Sequence, residues 1–383
     1  MDRFRVLIAG GGVAALEAAL ALQHLGDGRL SVVLVAPEPK FFYRPLAVVE
    51  SFGTGHVHGI DLAHLADECG ALFVVDALAA VDADAHIART AAGAELEYDA
   101  LLVATGARPV PTVPGAITFR GPADVEAFSR LLSSLRAGAA ARVVFAVPGG
   151  VAWPLPLYEL ALQTAAFLDV HGVTGVELAL VTPEETPLGL FGATASAAVA
   201  KLLRRQRIEV HTGTYEIAPG DAVVALPRLT GAPLAGLPHD ASGFVPTDAS
   251  GRVQGLDDVF AAGDCTSFPI KQGGLAAQQA DAAAEAIAAA AGAPVDPAPF
   301  RPVLRGLLLT GEAPTFLRAE LAGGRGDTST ATSELLWWPP GKIVGRYLAP
   351  FLAERAGAIL APPAEAEALP VDVELASSAK LSG

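Results

Sequence analysis

Residues 4–23 read FRVLIAGGGVAALEAALALQ, an apolar strand that runs through glycines directly into a helix with apolar spacing. Few folds accommodate that arrangement. The glycines fit the pattern G-x-G-x-x-A as Gly10, Gly12 and Ala15. Gly10 permits the tight turn, and Gly12 lets a pyrophosphate approach the backbone at the positive end of the helix. Ala15 is small enough for the helix to lie close to the strand. Val13 and Ala14 form the first helical turn and belong to the same candidate contact set. A second strand, Leu30 to Ala36, completes the strand–helix–strand unit at the expected distance. The acid that commonly ends this strand and holds a ribose is replaced by Ala36. Glu38, two residues on, either reaches the ribose hydroxyls or is a solvated loop charge.

One such turn is compatible with NAD or with FAD, and two distant segments favour FAD. Residues 99–109, DALLVATGARP, predict a strand ending at Ala104, Thr105 and Gly106. Residues 257–274, DDVFAAGDCTSFPIKQGG, place Gly263 and Asp264 directly after another strand. A flavin needs its pyrophosphate cradled and its ribityl hydroxyls accepted, which suits Asp264. It also needs a positive helix end facing the pyrimidine edge, where negative charge collects on reduction. A helix starting at Gly273-Gly274 is placed for that, with Gln272 just before it. Lys271 either adds a cation at the same edge, as the candidate catalytic residue, or is an ordinary exposed lysine.

On these residues the chain resembles the two-dinucleotide-domain flavoproteins, the pyridine nucleotide–disulfide oxidoreductase superfamily, over roughly residues 1–300. Within it the branch of sulfide:quinone oxidoreductases and type II NADH dehydrogenases is the most similar. The segment PKFFYRPL (Pro39 to Leu46) resembles that branch's aromatic-then-proline loop beside the flavin, and Lys271-Gln272-Gly273 its run after the aspartate. The resemblance implies further FAD contacts at Arg44, Pro45 and Leu78. It also implies an α/β fold of two Rossmann-like domains, the second inserted in the first: residues 1–110 and 244–300 for FAD, 111–243 for the second unit, and a C-terminal region over 301–383.

The second unit departs from its pattern. After a predicted strand, Arg142 to Val147, comes PGGVAWPLPLYELALQTAAF in place of G-x-G-x-x-G. Pro148, Pro154 and Pro156 lack the N–H donors that a pyrophosphate needs, and bulky Trp153 is expected to occupy the turn. Pro156, Tyr158 and Glu159 resemble the Gly-Pro-x-Tyr-Glu run of sulfide:quinone oxidoreductases, but Trp153 stands where that family carries its redox cysteine. Only Cys69 and Cys265 occur, far apart and without a CxxC, which fits a reducing cytoplasm. No metal-ligand set forms around His56 and His58.

The segment LLWWPPGKIVGRYLAPFLAERAG (Leu335 to Gly357) has an apolar stripe at helical spacing, with Pro339-Pro340 read as the helix start. It either docks on the FAD domain, forms a homodimer face, or meets a quinone or a membrane surface. The stretch 323–327 reads as a polar loop, and the tail from Pro362 is expected to be mobile.

Composition narrows the partners. A formal charge of −15 repels phosphate backbones, so nucleic acid is not expected. No apolar run suffices to span a bilayer, and the first residues lead straight into a strand without a leader peptide, so a cytoplasmic protein, or one peripheral to the inner face of the membrane, is expected. The reading is a non-covalent FAD oxidoreductase that takes two electrons from a small-molecule donor and passes them to a quinone-like or other small acceptor, without a redox cysteine pair. An NAD(P)H-dependent reductase with an atypical nicotinamide site and a flavin-binding partner protein with little turnover are the alternatives.

Overall fold

The computed structural model describes residues 3–217, 222–321 and 328–356. The polar stretch 323–327 and the tail from 362 lie outside the described residues.

The chain opens with β1 (Phe4–Ala9), whose last four side chains are all buried. Such an unalternating apolar strand belongs in the middle of a parallel sheet with helices on its faces. The glycine turn leads into α1 (Val13–Leu25), and β2 (Leu30–Ala36) then pairs parallel with β1, from Phe4 opposite Leu30 to Ala9 opposite Val35. Next come β3 (Ala71–Val75) and β4 (Ala100–Val103), separated by an antiparallel ribbon of Leu78–Asp82, Ile87–Thr90 and Glu95–Glu97.

A second parallel sheet follows. It comprises β5 (Ile117–Thr118), β6 (Arg142–Ala146), α2 (Leu155–Val170), β7 (Glu177–Val181), β8 (Glu209–His211) and β9 (Ala222–Ala225), in the strand order β5-β9-β6-β7-β8. The chain then returns to the first sheet with β10 (Val259–Ala261), giving the order β10-β4-β1-β2-β3. Where the chain passes between the two sheets, Arg108–Val110 pairs antiparallel with Arg228–Thr230. This is an α/β fold of two Rossmann-like units, the second interrupting the first.

After β10, α3 (Gly273–Ala290) packs along α1. Both helices are rich in buried alanines of one core cluster, among them Ala18 and Ala21 on α1 and Ala280 and Ala283 on α3, and such small side chains let two backbones approach closely. Between the helices lies Glu17, fully buried, with Asp281 facing it. Burial pushes both carboxyls above their usual range, and the nearby Glu17 raises Asp281 further.

The C-terminal region begins as an antiparallel sheet of β11 (Val303–Leu308), β12 (Thr315–Glu320) and β13 (Thr330–Thr332). The helix expected from Pro339 onward is not what forms. Residues 335–347 run as an irregular strap, and α4 covers only Leu348–Arg355. Pro339, Pro340, Gly341 and Gly345 interrupt the apolar spacing, and the strap's N–H groups find side-chain acceptors in place of helical carbonyls. Tyr43 Oη accepts from Ile343 N at 2.8 Å, and the two oxygens of Glu17 accept from Tyr347 N and Leu348 N at 2.7 and 2.8 Å. Glu17 thus caps the start of α4 from another helix, at the end where a negative charge is favoured.

Trp337 is 1% exposed and meets the Phe316 ring edge-on at 4.7 Å, while its indole N–H donates to Gly341 O at 3.0 Å. Ile343 and Leu348 are buried as well, and Phe351 and Leu352 pack on the core around α1. The apolar stripe is thereby turned inward, Trp337 onto the C-terminal sheet and Leu348, Phe351 and Leu352 onto the first unit. No helix among the described residues is long and apolar enough to cross a membrane.

Candidate functional site

Three segments far apart in sequence converge at the C-terminal ends of β1, β4 and β10, where open α/β sheets bind their ligands. Gly10 has φ +135°, and a Cβ on it would stand 2.1 Å from Ala104 O and 3.3 Å from Thr105 N. The turn is locked against the end of β4, with Ala104 N donating to Ala9 O at 2.7 Å. Gly263, at φ +82°, faces Ala14 on one side and Ala276 on the other, at 3.1 and 3.4 Å from where its Cβ would be. The first turn of α1, the Ala104–Gly106 end of β4 and the Gly263-Asp264 turn therefore share one cleft.

Within that cleft Gly12 caps α1 without any side-chain hydrogen bond, and nothing lies within 4 Å of where its Cβ would be. Space is thus left at the start of α1, the helix end whose first N–H groups favour an anion. Asp264 sits deep among protein atoms yet keeps part of its surface open, and among the described residues no side chain or backbone N–H donates to its carboxylate. Burial pushes its pKa up, while the charges of Lys271 and Arg44 pull it down. A deep acceptor without a protein donor fits the role of holding ligand hydroxyls.

The other candidates are placed with more variety. Arg44 and Pro45 lie in a single helical turn over 44–46, and the charge of Arg44 reaches Asp264. Ala36 is buried at the end of β2 beneath Gly11, with Glu38 exposed beyond it. Leu78 opens the antiparallel ribbon and packs on the side of the first sheet away from α1. Lys271 is buried, not an exposed lysine: its ammonium donates to Thr266 O and lies 3.9 Å from the Phe244 ring centroid. Desolvation lowers its pKa, with Asp264 opposing. Gln272 caps α3, its Oε1 accepting from Leu275 N at 2.8 Å while its amide donates to Arg305 O at 3.2 Å. Gly273 opens α3, and a Cβ there would meet Ile343 Cγ1 at 2.9 Å, so the strap closes directly over this helix end.

Two features of the second unit differ from the sequence reading. Trp153 does not fill the turn after β6, because its ring packs on Phe191 at 5.7 Å, against the core of the second unit. The side chain that does cover the turn is Tyr215, whose ring carbon lies 2.8 Å from where a Cβ of Gly149 would be. Sequence spacing gave no sign of it. The second missed feature is a buried ion pair 183 residues apart in sequence: Lys342 Nζ contacts both oxygens of Glu159, at 2.6 Å for Oε1. Glu159 is 0% exposed and the Lys342 side chain 7%, and Leu309 N donates to the same carboxylate at 2.9 Å. Only the presence of Glu159 in the Pro156-x-Tyr158-Glu159 run hinted at it.

Both cysteines are buried free thiols. Desolvation pushes Cys69 up to about 12 and Cys265 up to about 11, the direction opposite to a reactive thiolate.

Two Rossmann-like sheets, with a glycine-turn cleft at the strand ends of the first, are the architecture of the two-dinucleotide-domain flavoproteins. A family model for pyridine nucleotide-disulphide oxidoreductases matches residues 4–224, and the chain belongs to that family. FAD is its cofactor. Among curated relatives, the demethylphylloquinone reductase of Synechocystis is 28% identical over 297 residues, covering 68% of this chain and 72% of that protein. The sulfide-quinone reductase of Aquifex aeolicus is 28% identical over 205 residues, 52% of this chain and 47% of that one. Among solved structures, the sulfide:quinone oxidoreductase of the same bacterium superposes with a TM-score of 0.76 at 21% identity, covering 86% of each chain. NDH2 of Plasmodium falciparum gives 0.54 at 14% identity, over 69% of this chain and 64% of that one.

If Asp264 holds the ribityl chain, Asp264→Ala releases FAD much more readily than Glu38→Ala, since only the first sits inside the cleft. Equilibrium dialysis of the two variants checks this. Equal retention would remove Asp264 from the binding set.

Proposed function

We propose that this oxidoreductase passes two electrons through non-covalent FAD to a quinone-like acceptor, with no thiol taking part. The observation that carries the reading is the strap over 341–344, which closes on the N-terminus of α3 with the side chain of Ile343. FAD supplies the redox chemistry at that helix end, where a positive dipole favours the charge of the reduced form. The protein binds it through the Gly10–Ala15 turn, Ala104–Gly106 and Gly263-Asp264. Ile343 and the buried Trp337 exclude water from above.

Reducing a quinone consumes protons as well as electrons. Burial pushes Glu159 up and Lys342 down, which narrows the gap between them, while their contact favours the ion pair. In this reading the Lys342–Glu159 pair, whose lysine belongs to the strap, is the candidate proton source. The names of two of the curated relatives, the demethylphylloquinone reductase and the sulfide-quinone reductase, support the choice of acceptor. The inward-facing Trp337, Ile343 and Leu348 favour a covering role for this segment over a membrane-facing one.

Sulfide is not the donor in this reading. Burial pushes the Cys265 thiol up to about 11, which disfavours the thiolate that sulfide chemistry needs. Anaerobic stopped-flow absorbance provides the test. The chemically reduced protein is expected to be reoxidised rapidly and saturably by a short-chain quinone. Sulfide is expected to bleach the flavin no faster in wild type than in the C69S/C265S variant. Quinone reoxidation that is slow and linear in concentration would overturn the acceptor, and fast sulfide bleaching lost in the variant would overturn the thiol-free reading.

A further inference from the structure

Two acids meet where α1, α3 and the strap join, apart from the residues assigned to flavin and acceptor. Glu17, in the middle of α1, is 0% exposed, and Asp281 reaches it from α3, with a hydrogen bond joining the two carboxyls. Two carboxylates cannot hydrogen-bond to each other, so this contact holds a proton. We propose that this proton latches the strap: residues 345–355 stay closed while the Glu17–Asp281 pair keeps it, and open when rising pH removes it. The proposal goes beyond the acceptor reading above and does not depend on it.

The strap is seated on the Glu17 carboxylate itself. Its Oε1 accepts from Tyr347 N at 2.7 Å and its Oε2 from Leu348 N at 2.8 Å. A Cβ on Gly345 would stand 2.4 Å from Oε2 and 3.0 Å from Cδ, so a residue without a side chain is what lets the backbone lie this close. With those N–H groups aimed at it, Glu17 is the member that carries the negative charge, and Asp281 the one that keeps the proton. Oδ1 of Asp281 is shut off from solvent and meets no donor among the described residues, which suits a neutral carboxyl and not a carboxylate. Burial and then the charge of Glu17 hold Asp281 well above the usual carboxylate range.

The other charged and titratable groups at this seam do not replace the proton. The charge of Arg346, on the strap, favours ionised Asp281, but its Nη1 is engaged by Glu285 Oε1 of α3 at 3.1 Å. The Tyr347 phenol, pushed up to about 12 by desolvation, stays neutral, and its ring meets His24 of α1 at 5.6 Å. At the end of α4, Arg355 contacts Glu68. Once Asp281 ionises, the carboxylates of Glu17, Asp281 and Glu285 face a single guanidinium at the seam. In the open form water reaches both acids and they titrate in their ordinary range. Closure is therefore fully favoured below that range and is lost as pH rises through the raised pKa of Asp281. The other half of the strap has its own anchors, Tyr43 Oη at Ile343 N and Lys342 at Glu159, which confines the opening to the α4 side.

The test is hydrogen exchange of the FAD-loaded protein between pH 6 and pH 9, read by mass spectrometry on peptides spanning 345–355, with the intrinsic pH dependence of exchange divided out. Protection of this segment is expected to fall by at least about tenfold over that range, the limit for one proton being about tenfold per pH unit, while peptides of β1 keep theirs. Asp281→Asn keeps a neutral donor to Glu17 at every pH, and its protection is expected to change by less than about twofold. Flat protection in wild type, the same fall in Asp281→Asn, or a parallel loss in β1 would each overturn the proposal. Should Asp281→Asn fail to fold, infrared spectroscopy of wild type decides. The C=O band of a protonated carboxyl must be present at pH 6 and disappear with the same midpoint as the protection, and its absence at pH 6 overturns the latch.

Discussion

Lys342→Met is expected to cost about 3–5 kcal/mol of stability, because it leaves the Glu159 carboxylate buried without its counter-charge. Glu159 is fully buried on α2 beneath the strap, and among the described residues its one other donor is Leu309 N. The double variant Lys342→Met/Glu159→Gln is expected to regain most of the loss, since the glutamine is neutral and its oxygen still accepts from Leu309 N. The sign of the pH dependence follows from the same burial. The folded-state pKa of Glu159 is raised above its unfolded value, and removing Lys342 raises it further. Stability of the single variant is then greatest at low pH, where the carboxyl is protonated in both states, and is lost as pH rises through the folded pKa. Urea unfolding of the three proteins at pH 5 and pH 8 measures both effects. A single variant as stable as wild type at pH 8 would mean that the strap opens and wets the carboxylate.

The first unit was readable from sequence because each of its contacts is announced locally. Gly10, Gly12 and Ala15 stand within six residues, and the strands that bring Ala104 and Gly263 to them are continuous apolar runs. The second unit and the strap were harder for a physical reason. Tyr215 covers Gly149 and Lys342 meets Glu159 across contacts that only the folded chain creates, and no local spacing encodes them. Trp153 was expected to obstruct the turn on size alone, but Phe191 offered its ring a better partner. The strap shows the converse error. Apolar residues three and four apart suggest a helix, yet Pro339, Pro340, Gly341 and Gly345 were all visible and argued against one. Tyr43, which the sequence shows only as part of an aromatic loop, is a half-buried acceptor for Ile343 N, with its own pKa pushed up to about 12 by desolvation.

The glycines of the first turn are expected to separate folding from cofactor binding. Gly10→Ala places a Cβ 2.1 Å from Ala104 O, a backbone atom fixed by its pairing to β1, and does so at a φ of +135° that alanine rarely adopts. Neither β1 nor β4 can yield without breaking the centre of the first sheet, so a loss of more than about 4 kcal/mol is expected, with insoluble or flavin-free protein as the visible result. Gly12→Ala differs in every respect. Its φ of −93° and ψ of −166° suit any residue, and its Cβ would project into open space. The fold should survive with a change of no more than about 1 kcal/mol for the poorer helix cap. What the methyl group occupies is the space through which a pyrophosphate approaches the α1 N–H groups, so FAD affinity should fall by at least about tenfold. Circular dichroism melting of the apoproteins and flavin titration by fluorescence quenching distinguish the two variants. If Gly12→Ala bound FAD as tightly as wild type, the pyrophosphate would lie elsewhere and the cleft would need another occupant at this turn.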